Sequence, residues 1–232
     1  MISVVIPTLN EAPRIGPLLE ALRAEPVAAE AIVADGGSAD GTAAAAARAA
    51  GGWARVIEGT PRGRGPQLAA GAAAARGEVL LFLHADSRFP PGGLAAIERL
   101  LAARPEVPGG NFRLTFDGDT GFDRWLTGFY ALIRRGGLYY GDSGIFVRRR
   151  VLDAIGGVRP LALMEDYYLA RRLERAGPTA CIADPPLVTS SRRFAGRRPP
   201  AIVWGWVRVH ALYWRGVAPV RLAEIYDSER RR

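Results

Sequence analysis

The feature that most restricts this chain is a repeated switch between short apolar runs and helical segments. Ile2 to Ile6 is a β-branched run closed by Pro7, and it reads as a buried first strand. Ala31 to Ala34 and Ala54 to Glu58 read as the second and third strands. Val79-Leu80-Leu81-Phe82-Leu83-His84-Ala85-Asp86 reads as the fourth, an apolar run that ends abruptly in a histidine and an aspartate. Between them, Pro13 to Ala24 carries Ile15, Leu18, Leu19 and Leu22 at helical spacing. Thr42 to Ala50 and Leu68 to Ala75 are alanine-rich, which favours helix, and Leu94 to Ala103 is amphipathic. Such alternation over roughly the first 100 residues implies an α/β fold, with a mostly parallel sheet and helices on both faces. Ligands of such sheets bind outside the carboxyl ends of the strands, so the residues just past each strand carry the chemistry.

The second half has a different texture. Gly110 to Phe116 alternates apolar and polar residues, as a strand with one more exposed face does. Phe122 to Ile133 is an aromatic-rich helix, and Tyr139 to Gly144 is a loop before the short strand Ile145 to Val147. Arg149 to Ile155 is a short helix stopped by Gly156-Gly157. Met164-Glu165-Asp166 opens a helix running to Arg175, and Pro185-Pro186 separates two strand-like runs. Ile202 to Trp214 is a helix with three tryptophans. No linker divides the chain, so residues 1–232 form one domain, with a nucleotide-binding half over 1–103 and an acceptor half over 104–232.

The net charge is +8 with no lysine, so every basic side chain counted is arginine, the better residue for bidentate phosphate recognition. The clusters at Arg148-Arg149-Arg150 and Arg197-Arg198 read as solvated faces. Cys181 is the single cysteine, which excludes an internal disulfide and fits a reducing cytoplasm. Met1-Ile2-Ser3 lacks the charged start of a signal peptide, and no apolar run approaches the ~20 residues of a membrane span. The tryptophan-rich helix suits either a core or dimer contact or a peripheral contact with the inner face of a membrane.

Three acidic positions lie where a ligand would. Asp35 suits either the ring N–H of a base or a helix N-cap, and Gly36 and Gly37 let the backbone approach a nucleoside. Asp86 either caps a turn or holds a divalent cation, Mn²⁺ or Mg²⁺, on a diphosphate; such an ion needs only one or two carboxylates. His84, two residues away, points the same way in an extended strand and is a second candidate ligand. Glu165 and Asp166 either answer the dipole of their helix or deprotonate an acceptor hydroxyl. Gly59 to Gln67 reads as a basic glycine-rich loop offering Arg62, Arg64 and Gln67, and Arg192 and Arg193 lie in a late loop. Either pair of arginines suits a diphosphate. The glycines match neither a dinucleotide-binding fingerprint nor a Walker A loop, which would also need a lysine.

In order and spacing, these residues resemble family 2 glycosyltransferases of GT-A fold. Ile2 to Glu11 and Asp35 to Thr42 are similar to that family's two opening motifs. His84-Ala85-Asp86 falls where it carries D-x-D, and Leu163 to Asp166 resembles its "ED" motif. The stretches YGD.GIF and TS.RR resemble a small bacterial subgroup labelled as arsenosugar-biosynthesis transferases. The resemblance implies inverting transfer from a UDP- or GDP-sugar to an unknown hydroxyl acceptor. Pro7, Thr8, Asn10, Glu11 and Asp35 would hold the nucleoside, Arg64 the nucleotide or diphosphate, Asp86 the metal, and Asp166 would be the base. His84 replaces the first aspartate, which removes one charge from the metal site. A nucleotidyltransferase would open on a glycine-rich basic loop, which Pro7 to Glu11 lacks. Nucleic acid is not an expected partner, because strand-end acids would repel its backbone.

Overall fold

β1 (Ile2–Thr8) is buried along its whole length and runs through the middle of the first half of the sheet. Its alternate residues face opposite ways: Val4 and Ile6 join one core cluster and Val5 the other. The elements then follow as α1 (Ala12–Arg23), β2 (Ala29–Asp35), α2 (Thr42–Ala50), β3 (Ala54–Ile57), α3 (Arg64–Ala74), β4 (Val79–Phe82), β5 (Ser87–Arg88) and α4 (Gly93–Ala103). The second half adds β6 (Gly109–Phe116), α5 (Gly121–Arg135), β7 (Ile145–Arg148), α6 (Arg149–Ala154), α7 (Glu165–Ala176), β8 (Ala180–Thr189), α8 (Pro199–Trp214) and α9 (Pro219–Arg230). This computed structural model describes residues 1–194 and 196–230; the side chains of residues 193 and 228–230 lie outside the described part.

Among the described residues one eight-stranded sheet has the order β3-β2-β1-β4-β7-β6-β8-β5. β3, β2, β1 and β4 are mutually parallel, whereas β7 pairs antiparallel with both β4 and β6. The order of the early strands reverses between β1 and β4, so their carboxyl ends frame the crevice that such sheets use for ligands.

Helices cover both faces, as the alternation predicts. On one face Ile15, Leu18, Ala46, Leu94 and Ile97 pack on Val4, Ile6 and Val33. On the other, Leu68, Leu152, Leu169 and Leu173 pack on Val5, Ile32 and Leu80. Each fully buried Leu or Ile contributes about 1.5–3 kcal/mol relative to exposure. α5 starts in a capping box, with Asp123 N–H donating to Thr120 Oγ1 and the Asp123 carboxylate accepting from Thr120 N–H. α8 and α9 pack beyond the sheet through two smaller clusters, one around Phe116, Phe194 and Ile202 and one around Met164, Tyr167, Val209 and Leu222. No helix of the described residues is long and apolar enough to cross a membrane.

Four expectations need correction. Arg64 to Gln67 are not loop but the first turn of α3, where Pro66 is tolerated because the first-turn N–H groups have no helical partner. Pro185-Pro186 does not split two strands: β8 runs through them, with an irregular register against β6 between Phe112 and Leu114. Arg148 and Arg149 are not a solvated face. Arg148 donates to the carbonyls of Val107 and Leu101, and Arg149 to that of Gly77. Finally, β4 ends at Phe82 and the chain turns at Ala85-Asp86, with Ser87 N–H donating to His84 O at 3.1 Å. The extended geometry that would align His84 with Asp86 is therefore absent.

Candidate active site

The loops after β1 and β2 are laced together by side chains. Asp35 is buried and accepts four hydrogen bonds: from Thr8 Oγ1 (3.0 Å), Ser38 Oγ (2.5 Å), Ser38 N–H (2.8 Å) and Gly37 N–H (3.1 Å). Burial alone would raise its pKa, but the Ser38, Thr8 and Gly37 donors outweigh it and hold the carboxyl below its usual range. A carboxylate has about four acceptor sites, so Asp35 organises its own loop as it stands. Asn10, at φ 57, accepts from Ala39 N–H through Oδ1 and donates its own N–H to Ser38 Oγ. Glu11 N–H donates to Thr42 Oγ1 at 2.8 Å. Pro7 pairs with Ala34 inside the sheet, so it shapes the strand end rather than a loop.

The start of α3 closes the crevice from the other side. Gln67 Nε2 donates to the carbonyls of Thr8 (2.6 Å) and Ala34 (2.8 Å), tying the ends of β1 and β2 together. A Cβ on Gly36 would stand 2.9 Å from that nitrogen, which explains glycine there. The Gln67 amide nitrogen is thus committed to backbone. Arg62 is exposed on the approach to α3. Arg64 Nε lies 2.9 Å from Glu165 Oε1, an ion pair without the alignment of a hydrogen bond. Glu165 is 2% exposed, and burial pushes its carboxyl up to about 7, against the pull of Arg64. Its neighbour Asp166 faces elsewhere, so the two acids at the start of α7 are not equivalent.

Past β4, His84 is held below its ordinary imidazole value by burial and by Arg64, against the upward pull of Asp86, Asp142 and Asp166. It is therefore neutral at physiological pH, the form that can ligate a cation. Asp86 Oδ2 lies 3.4 Å from Arg192 Nη2, and that nitrogen also pairs with Glu11 Oε1. Arg192 thus reaches the crevice, but through its acidic residues. The Arg193 side chain lies outside the described residues. No three His, Cys, Asp or Glu side chains converge into a metal cluster among the described residues. One hard carboxylate oxygen at the strand end still fits a divalent cation whose other ligands are phosphate and water.

Asp166 and His84 meet across Gly141. Asp166 Oδ2 accepts from Gly141 N–H at 2.9 Å, and Oδ1 from Tyr167 N–H at 2.7 Å. A Cβ on Gly141 would stand 3.0 Å from His84 Nε2 and 3.3 Å from Asp166 Oδ2. Met164, just before α7, adopts φ 68, costly for a side chain without local hydrogen bonding. Asp166, His84 and Arg64 line one end of a cavity of about 460 Å³. Its other walls were not assigned to a site from the sequence. They include Tyr140, whose hydroxyl lies 2.9 Å from His210 Nε2, and Trp206 of α8. The signal for His210 was slight: one of two histidines, four residues after Trp206, on an aromatic helix.

The profile described as "Glycosyl transferase family 2" matches residues 3–155, from β1 through α6. Comparison with curated protein sequences returned no match. Among solved structures, a mannosyltransferase from Pyrobaculum calidifontis, in complex with GDP-Man and Mn²⁺, is 24% identical, with a TM-score of 0.69, over 99% of this chain and 68% of its own. Glucosyl-3-phosphoglycerate synthase from Mycobacterium tuberculosis, in complex with Mn²⁺, UDP and glucosyl-3-phosphoglycerate, is 20% identical, with a TM-score of 0.63, over 92% of this chain and 79% of its own. S. aureus TarS is 14% identical with a TM-score of 0.64, and the match spans 91% of this chain but 39% of that one. These likenesses show a GT-A fold, and the profile match over more than half the residues adds lineage: the chain belongs to the family 2 glycosyltransferases.

Proposed function

We propose that the chain moves a hexosyl group from a UDP- or GDP-sugar to a hydroxyl acceptor with inversion at the anomeric carbon. The observation that carries this reading is the position of Asp166. It lies beside His84 at the strand-end crevice and opens on a cavity large enough for an acceptor. The mannosyltransferase and the synthase named above, which bind GDP-Man or UDP with Mn²⁺, support the donor class.

In this reading Thr8, Asn10, Glu11 and the loop from Asp35 to Gly37 seat the nucleoside. A ring N–H replaces one of the four donors on Asp35, and the rotatable Ser38 hydroxyl yields most readily. Asp86, with His84 as the second candidate, would hold a divalent cation, which supplies positive charge for the leaving diphosphate. Arg192 turns from Asp86 and Glu11 to the diphosphate, joined by Arg64 from the start of α3 and with Arg62 and Arg193 nearby in sequence. Gln67 keeps the ends of β1 and β2 in register beneath the nucleotide.

Asp166 takes the proton of the acceptor hydroxyl. Its two backbone hydrogen bonds fix its orientation and leave lone pairs for that hydroxyl. Glu165, buried against Arg64, positions the guanidinium rather than meeting substrate. The exposed tryptophans of α8 suit a peripheral contact with the inner face of a membrane. The test is a thermal-shift series with UDP, GDP and dTDP, with and without Mn²⁺. The reading expects one nucleotide to raise the melting temperature with Mn²⁺ and Asp86→Ala to abolish the shift. No shift with any of them would count against it.

A further inference from the structure

The cavity behind Asp166 changes character along its length. At one end stand Arg64, His84, Asp142 and Asp166; beyond Tyr140 the walls are Phe129, Ile133, Met164, Val203, Trp206 and Val209. Four of the polar side chains lining the cavity are already bonded within it. His210 Nδ1 lies 2.8 Å from the Trp206 carbonyl, so it carries the proton, and Nε2 accepts from the Tyr140 hydroxyl at 2.9 Å. Trp214 Nε1 donates to the Tyr167 hydroxyl at 3.2 Å. Tyr140 and Tyr167 stack, and His210 meets Tyr167 edge to face with the centroids 5.4 Å apart. What the chamber presents to an occupant is therefore mainly ring and aliphatic carbon.

That surface selects by chemistry. A polyhydroxylated or phosphorylated acceptor entering it would leave water for walls that offer few replacement hydrogen bonds, and such a loss is costly. The cation at its polar end, Arg64, is already engaged with Glu165. An apolar body gains from the same walls. The chamber also reaches the surface through carbon, because Val207 (53% exposed) and Trp214 (68% exposed) both line it.

We infer that the acceptor is an alcohol whose single reacting hydroxyl is carried on a largely apolar body, seated in this chamber with the hydroxyl at Asp166. The inference rests on the transfer reading above and names its acceptor class. In the step, the acceptor O–H bond breaks and its proton goes to Asp166. The oxygen bonds to the anomeric carbon, and the bond from that carbon to the β-phosphate oxygen breaks with its electron pair leaving on the nucleoside diphosphate. The apolar alcohol comes from a membrane or from solution; the chamber chemistry is the same for both.

The test uses the full chain and straight-chain alcohols from hexanol to dodecanol, with Trp206 and Trp214 as fluorescent reporters of the chamber. Binding should be saturable and should tighten by up to about fourfold per added methylene. Val207→Asp, at an exposed position that leaves the fold intact, should weaken decanol binding by about tenfold or more while the nucleotide-dependent thermal shift remains. With the nucleotide sugar that gives the largest thermal shift, decanol should yield a glycoside and glycerol or glycerol phosphate should not. Preference for either polar alcohol, or equal decanol binding by wild type and Val207→Asp, overturns the inference and leaves the transfer reading standing as long as the nucleotide shift persists. Decanol binding with no nucleotide shift overturns both. Comparing decanol in buffer with decanol held in phosphatidylcholine vesicles separates the sources: faster turnover of the free alcohol assigns a soluble acceptor, and faster turnover in vesicles assigns a membrane one.

Discussion

Arg192 Nη2 stands 3.4 Å from Asp86 Oδ2 and pairs at the same time with Glu11. One guanidinium thus joins the loop after β1 to the turn after β4, across the place where the strand order reverses. In the proposed reading a cation at Asp86 and Arg192 would compete for one acid, until a diphosphate took the arginine.

Removing that competitor should help the metal bind alone. Arg192→Gln is expected to tighten Mn²⁺ binding to the nucleotide-free protein by up to about fivefold, the ceiling for a half-exposed ion pair. The same variant should weaken nucleoside diphosphate binding, because a phosphate partner is lost. Titration of free Mn²⁺ by electron paramagnetic resonance checks the first, and calorimetry with GDP or UDP the second. Weaker Mn²⁺ binding in the variant would mean that Arg192 supports the metal rather than excludes it.

Glu165 makes stability depend on pH. Its folded carboxyl is raised from 4.5 to about 7, chiefly by burial, so between those values the folded chain holds a proton that the unfolded chain has released. Raising the pH through that window therefore lowers stability, and the loss is complete above about 7. Glu165→Gln, which stays neutral, should gain on wild type as pH rises from about 5 to about 8, by at most about 3 kcal/mol. Thermal melts of both proteins at the two pH values decide it. A constant difference between them would show that Glu165 is ionised throughout, held by Arg64.

Gly141→Ala tests the junction of His84 and Asp166. The new Cβ would stand 3.0 Å from His84 Nε2 and 3.3 Å from Asp166 Oδ2, so both side chains must shift by tenths of an ångström. A base displaced by that amount should cost about tenfold to a hundredfold in kcat. The nucleotide seat around Asp35 should keep its affinity, because Gly141 lies apart from it. Steady-state kinetics beside a nucleotide thermal shift separate the two, and an unchanged kcat would remove Asp166 from the reaction.

Much of the first half was legible in the sequence for a simple reason. Strands buried on both faces leave unbroken apolar runs, and Thr42 to Ala50 has a composition that permits little but helix. Arg64 to Gln67 misled because Gly63, Gly65 and Pro66 normally break helices, whereas first-turn positions tolerate proline. The different surroundings of Glu165 and Asp166 could not be read from periodicity, since adjacent helical residues part in direction only once the packing of α3 on α7 is known. The chamber was equally hidden. Tyr140 and His210 are 70 residues apart, and the hydrogen bond between them leaves no local pattern. α9 (Pro219–Arg230) was not read as an element at all, because its weakly apolar pattern offers little helical periodicity.

Asp166 is the proposed base, and the most direct measurement compares Asp166→Asn with Glu165→Gln. The readout is nucleoside diphosphate release from the best-binding nucleotide sugar with decanol present, with the nucleotide thermal shift recorded alongside. Asp166→Asn should retain the thermal shift and lose about a hundredfold or more in kcat, the scale of a general base. Glu165→Gln should keep kcat within about tenfold of wild type, because in the proposed reading Glu165 acts only through the Arg64 it pairs with. The reverse order, with Asp166→Asn active and Glu165→Gln silent, would contradict the account.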